Sequence, residues 1–236
     1  MDNVFFVTGT DTDVGKTFFC AHLLKYLRSL GVDAGYQKWV STGDAVSSED
    51  LTYCCDTAGI SSDPSLLDLQ VPFRFQMPAS PHLAAEQEGK RVDTKVVVDR
   101  CRELALRYER LIVEGVGGLL VPLTREILLA DVLAELKLPI IVVARSGLGT
   151  LNHTFLTLEA LRSREIPILG VVFSDAGNDE DEVLVADNSR TIAEMGRVTV
   201  FGRMKRCPEG GDASKEFIQI GEAIRSEMSR IRSRSV

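Results

Sequence analysis

Several things are scarce in this 236-residue chain, and each scarcity closes off a class of function. Its cysteines are Cys20, Cys54, Cys55, Cys101 and Cys207, an odd number with no C-x-x-C pair, which fits neither a disulfide framework nor a zinc site. Idle thiols in a reducing cytoplasm are the expectation. Basic residues are outnumbered, 27 Lys and Arg against 34 Asp and Glu, and the formal net charge of −7 works against attraction to nucleic acid or an anionic membrane. Neither is expected as a partner. Apolar runs such as Ile140 to Ala144 fall far short of a bilayer span. The start, Met1-Asp2-Asn3-Val4-Phe5-Phe6, places an acid where a secretory leader carries bases. No internal repeat or low-complexity tract stands out, and a soluble cytoplasmic protein is expected.

What is present is ordinary globular composition, 44% hydrophobic and 26% charged. The length suits one α/β domain over 1–236. Short β-branched or aromatic runs alternate with segments of helical period, the mark of a parallel sheet flanked by helices. Strands are predicted at Val4 to Thr8, Ala34 to Lys38, Leu111 to Glu114, Ile140 to Ala144, Ile168 to Phe173 and Val198 to Phe201. Phe19, Leu23, Tyr26 and Leu30 would line one helix face, and Val97, Cys101, Leu104 and Tyr108 another. Further helices are predicted over Leu151 to Arg162 and Asp181 to Met195. Asp56 to Pro81, with Gly59, Pro64, Pro72 and Pro78, reads as a long irregular connection, and 226–236 as a frayed basic helix end.

Directly after the first strand comes Gly9-Thr10-Asp11-Thr12-Asp13-Val14-Gly15-Lys16-Thr17, followed by a helical pattern. Glycines let backbone N–H groups converge on phosphate oxygens, the helix start adds its positive dipole end, and Lys16 supplies a point charge. Five residues separate Gly9 from Gly15 where the strict phosphate-loop pattern has four. The Thr17 hydroxyl would serve Mg²⁺, which prefers octahedral oxygen ligands. Glu114 ends the apolar strand Arg110-Leu111-Ile112-Val113 and precedes Gly115-Val116-Gly117-Gly118, so it would meet the loop at the carboxyl edge of the sheet. Asp50 is a further metal candidate, although Ser47-Ser48-Glu49-Asp50 also reads as an ordinary helix start. Lys38 ends the second strand and is followed by Trp39-Val40-Ser41-Thr42-Gly43. The fold class is therefore α/β: a three-layer parallel sheet flanked by helices, of the P-loop NTPase kind.

From residue 8 to about 175 these motifs resemble the dethiobiotin synthetases. The carriers are the Gly9 to Thr17 loop with its longer spacing, Gly35-Tyr36 leading to Lys38 and Ser41-Thr42-Gly43, Ser80-Pro81-His82, Glu114 to Gly118, and Gly147-Leu148-Gly149-Thr150-Leu151-Asn152-His153. The resemblance implies ATP- and Mg²⁺-dependent closure of 7,8-diaminopelargonate and CO₂ to the cyclic urea dethiobiotin, releasing ADP and phosphate. It implies nucleotide contacts from Asp13, Val14, Gly15, Lys16, Thr17, Phe18, Asp50, Glu114, Gly115, Val116, Gly117, Ser174 and Asp175. Thr17, Asp50 and Glu114 would hold the metal, and Lys38 and Lys16 would act on the carbamate and phosphate. Thr12, Ser41 and Thr42 would line the diamine site, with Gly149, Thr150 and Asn152 donated by the second subunit of a homodimer.

Three departures accompany the likeness. Gln37 intervenes between Tyr36 and Lys38, and Trp39 stands where a proline is usual. Ser174-Asp175 replaces Asn-Asp, and Gly202-Arg203-Met204-Lys205-Arg206 replaces a proline-containing segment. The rival reading is a partitioning-type switch ATPase on the same fold, which usually carries an additional loop lysine absent here. A non-catalytic nucleotide-binding module would be expected to lack one of Lys16, Thr17 and Glu114, and all three are present.

Overall fold

The computed structural model describes the backbone at residues 1–175, 177, 180–205 and 214–234, and side chains at these positions apart from 214–216 and 231–234. Cys207 and Arg206 lie outside the described residues. In chain order the elements are β1 (Val4–Gly9), α1 (Lys16–Ser29), β2 (Ala34–Lys38), β3 (Val40–Thr42), α2 (Glu49–Ala58), a 3₁₀ turn (Pro64–Leu66), α3 (Leu67–Gln70), β4 (Phe73–Phe75), α4 (Pro81–Gln87) and α5 (Thr94–Ala105). They continue with β5 (Arg110–Gly118), α6 (Leu129–Leu136), β6 (Ile140–Arg145), α7 (Thr150–Ser163), β7 (Ile168–Ser174), α8 (Glu182–Gly196), β8 (Val200–Met204) and α9 (Ser214–Arg234).

Six strands form one sheet in the order β2-β5-β1-β6-β7-β8, every adjacent pair parallel. Consecutive apolar residues are needed because both faces are covered. In β1, Val4 and Phe6 join the core under α5 and α6, whereas Phe5 and Val7 join the core under α1 and α9. The carboxyl ends of all six strands share one edge, and β1 sits where the chain's progression along the sheet reverses direction. Open α/β sheets bind ligands at such a point.

The structure corrects several expectations. Val40–Thr42 and Phe73–Phe75 pair as a separate two-stranded parallel sheet, so the Asp56 to Pro81 connection carries a 3₁₀ turn, a short helix and a strand. Leu30 caps the end of α1 and is 46% exposed, leaving Phe19, Leu23 and Tyr26 as the buried face. Tyr108 follows the end of α5 and lies against Gly35. The last strand is displaced to Val200–Met204, taking in part of the segment expected to follow it. The basic helix end expected at 226–236 is, over 226–234, the last part of α9 and needs no correction.

Candidate active site

Gly15 sets the geometry of the phosphate loop. It caps α1 at φ 90°, the left-handed region that favours glycine, and a Cβ there would run into the Ser174 hydroxyl. Only glycine lets the loop close beneath the end of β7 while presenting the N-terminus of α1. Lys16, in the first turn, is 6% exposed and donates to the Asp11 carbonyl at 3.1 Å. Burial, and then the positive charge of Lys38, hold its pKa below the ordinary lysine value.

The second cluster follows from strand register. Lys38 lies opposite Glu114 on the paired strands β2 and β5. Alternation sends Tyr36 and Lys38 to one face of the sheet and Gln37 and Trp39 to the other. Gln37 donates to the Leu69 carbonyl at 2.7 Å and accepts from the Trp39 indole at 3.1 Å, while the Trp39 ring packs edge-on to Phe6. The inserted glutamine and the tryptophan thus become core residues, and Lys38 still reaches the site.

There Lys38 Nζ bridges Glu114 Oε1 at 2.6 Å and Asp50 Oδ2 at 2.8 Å. The Thr17 hydroxyl lies 2.7 Å from Asp50 Oδ1 and 2.9 Å from Glu114 Oε1. Asp50 arrives from the first turn of α2, whose N-cap Ser48 accepts from the Leu51 N–H at 3.3 Å. Glu114 is fully buried, and its other oxygen, Oε2, accepts the Tyr36 hydroxyl at 2.7 Å. Burial opposes the charge on Lys38, but the Glu114 and Asp50 carboxylates outweigh it and raise the pKa above the ordinary value. Asp50 is shifted down: burial works against its charge, and Lys38 with the Thr17 hydroxyl prevails. Burial, followed by Glu114, pushes the Tyr36 phenol well up.

Among the described residues no cluster of three His, Cys, Asp or Glu side chains could enclose a metal. Two carboxylates nevertheless converge within hydrogen-bond distance of both the Thr17 hydroxyl and the Lys38 ammonium. A hard-oxygen donor set of this kind fits Mg²⁺, which usually keeps waters and takes further ligands from substrate phosphates.

A cleft of about 480 Å³ opens over both clusters, lined by Thr12, Asp13, Gly15, Lys16, Thr17, Phe18, Lys38, Ser41, Thr42, Asp50, Glu114, Val116 and Gly117. Val40, Gly43, Asp44 and Glu49 complete its wall without having been expected there. No periodic signal marks them. Val14 and Gly115 do not line it: Val14 is 2% exposed in the core, and Gly115 is packed against Phe6 and Leu129. Gly149, Thr150 and Asn152, at the start of α7, are also outside the cleft of this chain.

The far end of the same sheet edge differs. Ser174 is 8% exposed and overlies Gly15, but the Asp175 carboxylate is engaged, accepting from Ser146 Oγ at 2.5 Å and Arg203 Nε at 2.7 Å. Arg203 also pairs with Glu182 at 2.8 Å. Neither Ser174 nor Asp175 lines the cleft. Arg203 escaped the sequence reading because its partner is on a neighbouring strand end.

The AAA domain family matches residues 3–213. An ATP-dependent dethiobiotin synthetase BioD of Anaeromyxobacter dehalogenans (strain 2CP-C) is 39% identical over 94% of this chain and 97% of its own. A BioD of Lysinibacillus sphaericus is 43% identical over 80% and 82% respectively. Among solved structures, a ParA family ATPase from Chlorobium tepidum TLS superposes with a TM-score of 0.57 at 16% identity, covering 97% of this chain and 99% of that one. The Pyrococcus furiosus cell division ATPase MinD gives 0.57 at 16%, covering 96% and 99%. The structural likeness shows a shared P-loop α/β fold and no more, while on the sequence likeness the chain belongs to the ATP-dependent dethiobiotin synthetase family.

Proposed function

We propose that this chain, acting as a single P-loop domain over 1–236, joins 7,8-diaminopelargonate and CO₂ into dethiobiotin with conversion of ATP to ADP and phosphate. One observation carries the reading: two buried lysines, Lys16 and Lys38, face a single cleft together with Thr17, Asp50 and Glu114 and the hydroxyls of Thr12, Ser41 and Thr42. A phosphate loop alone would need one lysine. The second suits a reaction that creates another anion beside the γ-phosphate.

In this mechanism one amine adds to CO₂ and loses a proton, giving a carbamate anion. Lys38 holds a carbamate oxygen in line with the γ-phosphorus, and Lys16 with the N–H groups of residues 13–18 holds the phosphate oxygens. The carbamate oxygen bonds to phosphorus as the bond to the β-phosphate oxygen breaks, releasing ADP. The second amine then attacks the carbonyl carbon of the mixed anhydride, phosphate leaves, and the ring nitrogen loses its proton. Thr17, Asp50 and Glu114 would hold Mg²⁺, which when bound neutralises phosphate charge. Val116 and Gly117 form the adjoining wall, and Ser174 lies toward the base. No protein nucleophile is required.

The helix start at Gly149, Thr150 and Asn152 serves the substrate carboxylate of the other subunit in a homodimer, a role supported by its lying outside this chain's own cleft and by Leu148 beside it being 91% exposed. A cytoplasmic setting agrees with the absence, among the described residues, of a helix long and apolar enough to cross a membrane. The test supplies the diamine, bicarbonate and MgATP and looks for dethiobiotin by mass. ATP hydrolysis without that product would overturn the proposal.

A further inference from the structure

A buried carboxylate is useful only if its lone pairs point the right way. Glu114 has no exposure, and its two oxygens face different neighbours. Oε1 meets the Thr17 hydroxyl at 2.9 Å and Lys38 at 2.6 Å, while Oε2 accepts from Tyr36 at 2.7 Å. Tyr36 is 1% exposed, two residues before Lys38 on β2, so strand alternation delivers both side chains to the same carboxylate. Its phenol belongs to a class that ionises near 10 and therefore donates at working pH. Nothing in the mechanism above uses it.

We propose that Tyr36 is a positioning residue: its hydroxyl anchors Glu114 Oε2, which turns Oε1 toward Thr17 and toward a divalent cation held there with nucleotide. Partners of this kind fix ligand orientation, and losing one typically costs 10- to 100-fold in metal affinity or activity. The inference rests on the Mg²⁺ reading above, but not on the carbon chemistry.

Tyr36→Phe keeps the ring and removes only the donor. Mn²⁺ binding to the protein–ADP complex, followed by electron paramagnetic resonance, should weaken about 10- to 100-fold, with the thermal midpoint within a few degrees of the parent. In a Glu114→Gln background the same change should add less than about twofold, because the two residues act as one unit. Unchanged Mn²⁺ binding would overturn the proposal. So would a full additional loss in the Glu114→Gln background, or a Tyr36→Phe chain that no longer folds, which would make the hydroxyl structural. A parent protein that binds Mn²⁺ with ADP yet makes no dethiobiotin would sink the proposed reaction and leave this inference standing; one that binds no Mn²⁺ would sink the inference.

Discussion

Around β1, β2 and β5 the buried charges at the sheet edge pair with one another and also line a cleft, whereas around β7 and β8 they pair away from it. Lys16, Lys38, Asp50 and Glu114 all line the cavity, and three of the four are no more than 6% exposed. Asp175 and Arg203 are also largely buried, their side chains 5% and 15% exposed, but their charges close on Ser146 and Glu182 outside the cleft. Burying charge is costly at either place. At one end the arrangement is left open to a ligand, and at the other it ties β7, β8 and the start of α8 together. Buried charge by itself therefore does not mark a binding site; what it faces does.

The largest effects should come from the lysines at the open end. Lys16→Ala removes one preorganised cation and should lower kcat by about 10² to 10³. Lys38→Ala should also act mainly on kcat, with KM for ATP changing less, since its partner charge develops during reaction. A tenfold loss of ATP affinity with unchanged kcat would make Lys38 a nucleotide ligand instead.

Stability should separate the two lysines further. Lys38 has a raised pKa, so its contribution is present below the ordinary lysine value and is lost as pH rises through the raised one. At pH 7, Lys38→Ala leaves two carboxylates without their cation and should cost about 3 kcal/mol, or roughly 6 to 12 °C in Tm. Lys16 has a lowered pKa, so its charged form is a burden at pH 7, and Lys16→Ala should leave Tm unchanged or higher. Calorimetry of both variants checks the contrast, and equal losses would remove it.

The open end was far more legible in the sequence than the closed one. A strand of consecutive apolar residues followed by Gly15-Lys16-Thr17 announces itself locally, and Glu114 stood out as an acid between apolar residues and glycines, although β5 does not end there but runs on to Gly118. Lys38 was legible only as the end of β2; that Tyr36 shares its face and bonds Glu114, 78 residues away in the chain, follows from the strand pairing and had not been expected. Three-residue strands such as Val40–Thr42 and Phe73–Phe75 carry too few alternations to show a period, and their pairing crosses a long stretch of chain. The Asp175 and Arg203 pair has no local signature at all. It depends on two parallel strands ending at the same height.

Base selectivity tests whether the β7 and β8 end takes part in nucleotide recognition. Among the described residues, with Asp175 already holding Ser146 and Arg203, the Ser174 hydroxyl is left as a single short contact, too few groups for a two-point reading of adenine. GTP and CTP should therefore support the reaction within roughly one to two orders of magnitude of ATP in kcat/KM, at saturating diamine and bicarbonate. A preference beyond about a thousandfold would mean that this end reads the base.

The smallest expected effect on rate belongs to Arg203, and it tests the comparison from the structural side. Its guanidinium is held by Asp175 through Nε and by Glu182 through Nη1, an arrangement that uses the planar fork and that lysine cannot copy. The hydrogen bond to Asp175, together with that to Glu182, outweighs partial burial and raises its pKa, so it stays charged throughout the working range. Arg203→Ala takes the cation from an Asp175 carboxylate that is 5% exposed in the parent and, among the described residues, leaves the Ser146 hydroxyl as its side-chain partner. Because Glu182 is 70% exposed, that half of the contact should add little. The loss should come to about 2 kcal/mol, or roughly 4 to 8 °C in Tm, and Arg203→Lys should recover only part of it. Turnover should fall by no more than about threefold, and the ATP to GTP ratio should not move, because the cleft lies against β1, β2 and β5. A large change in that ratio with an unaltered Tm would reverse the assignment, making Arg203 part of the nucleotide site and the ion pair its support.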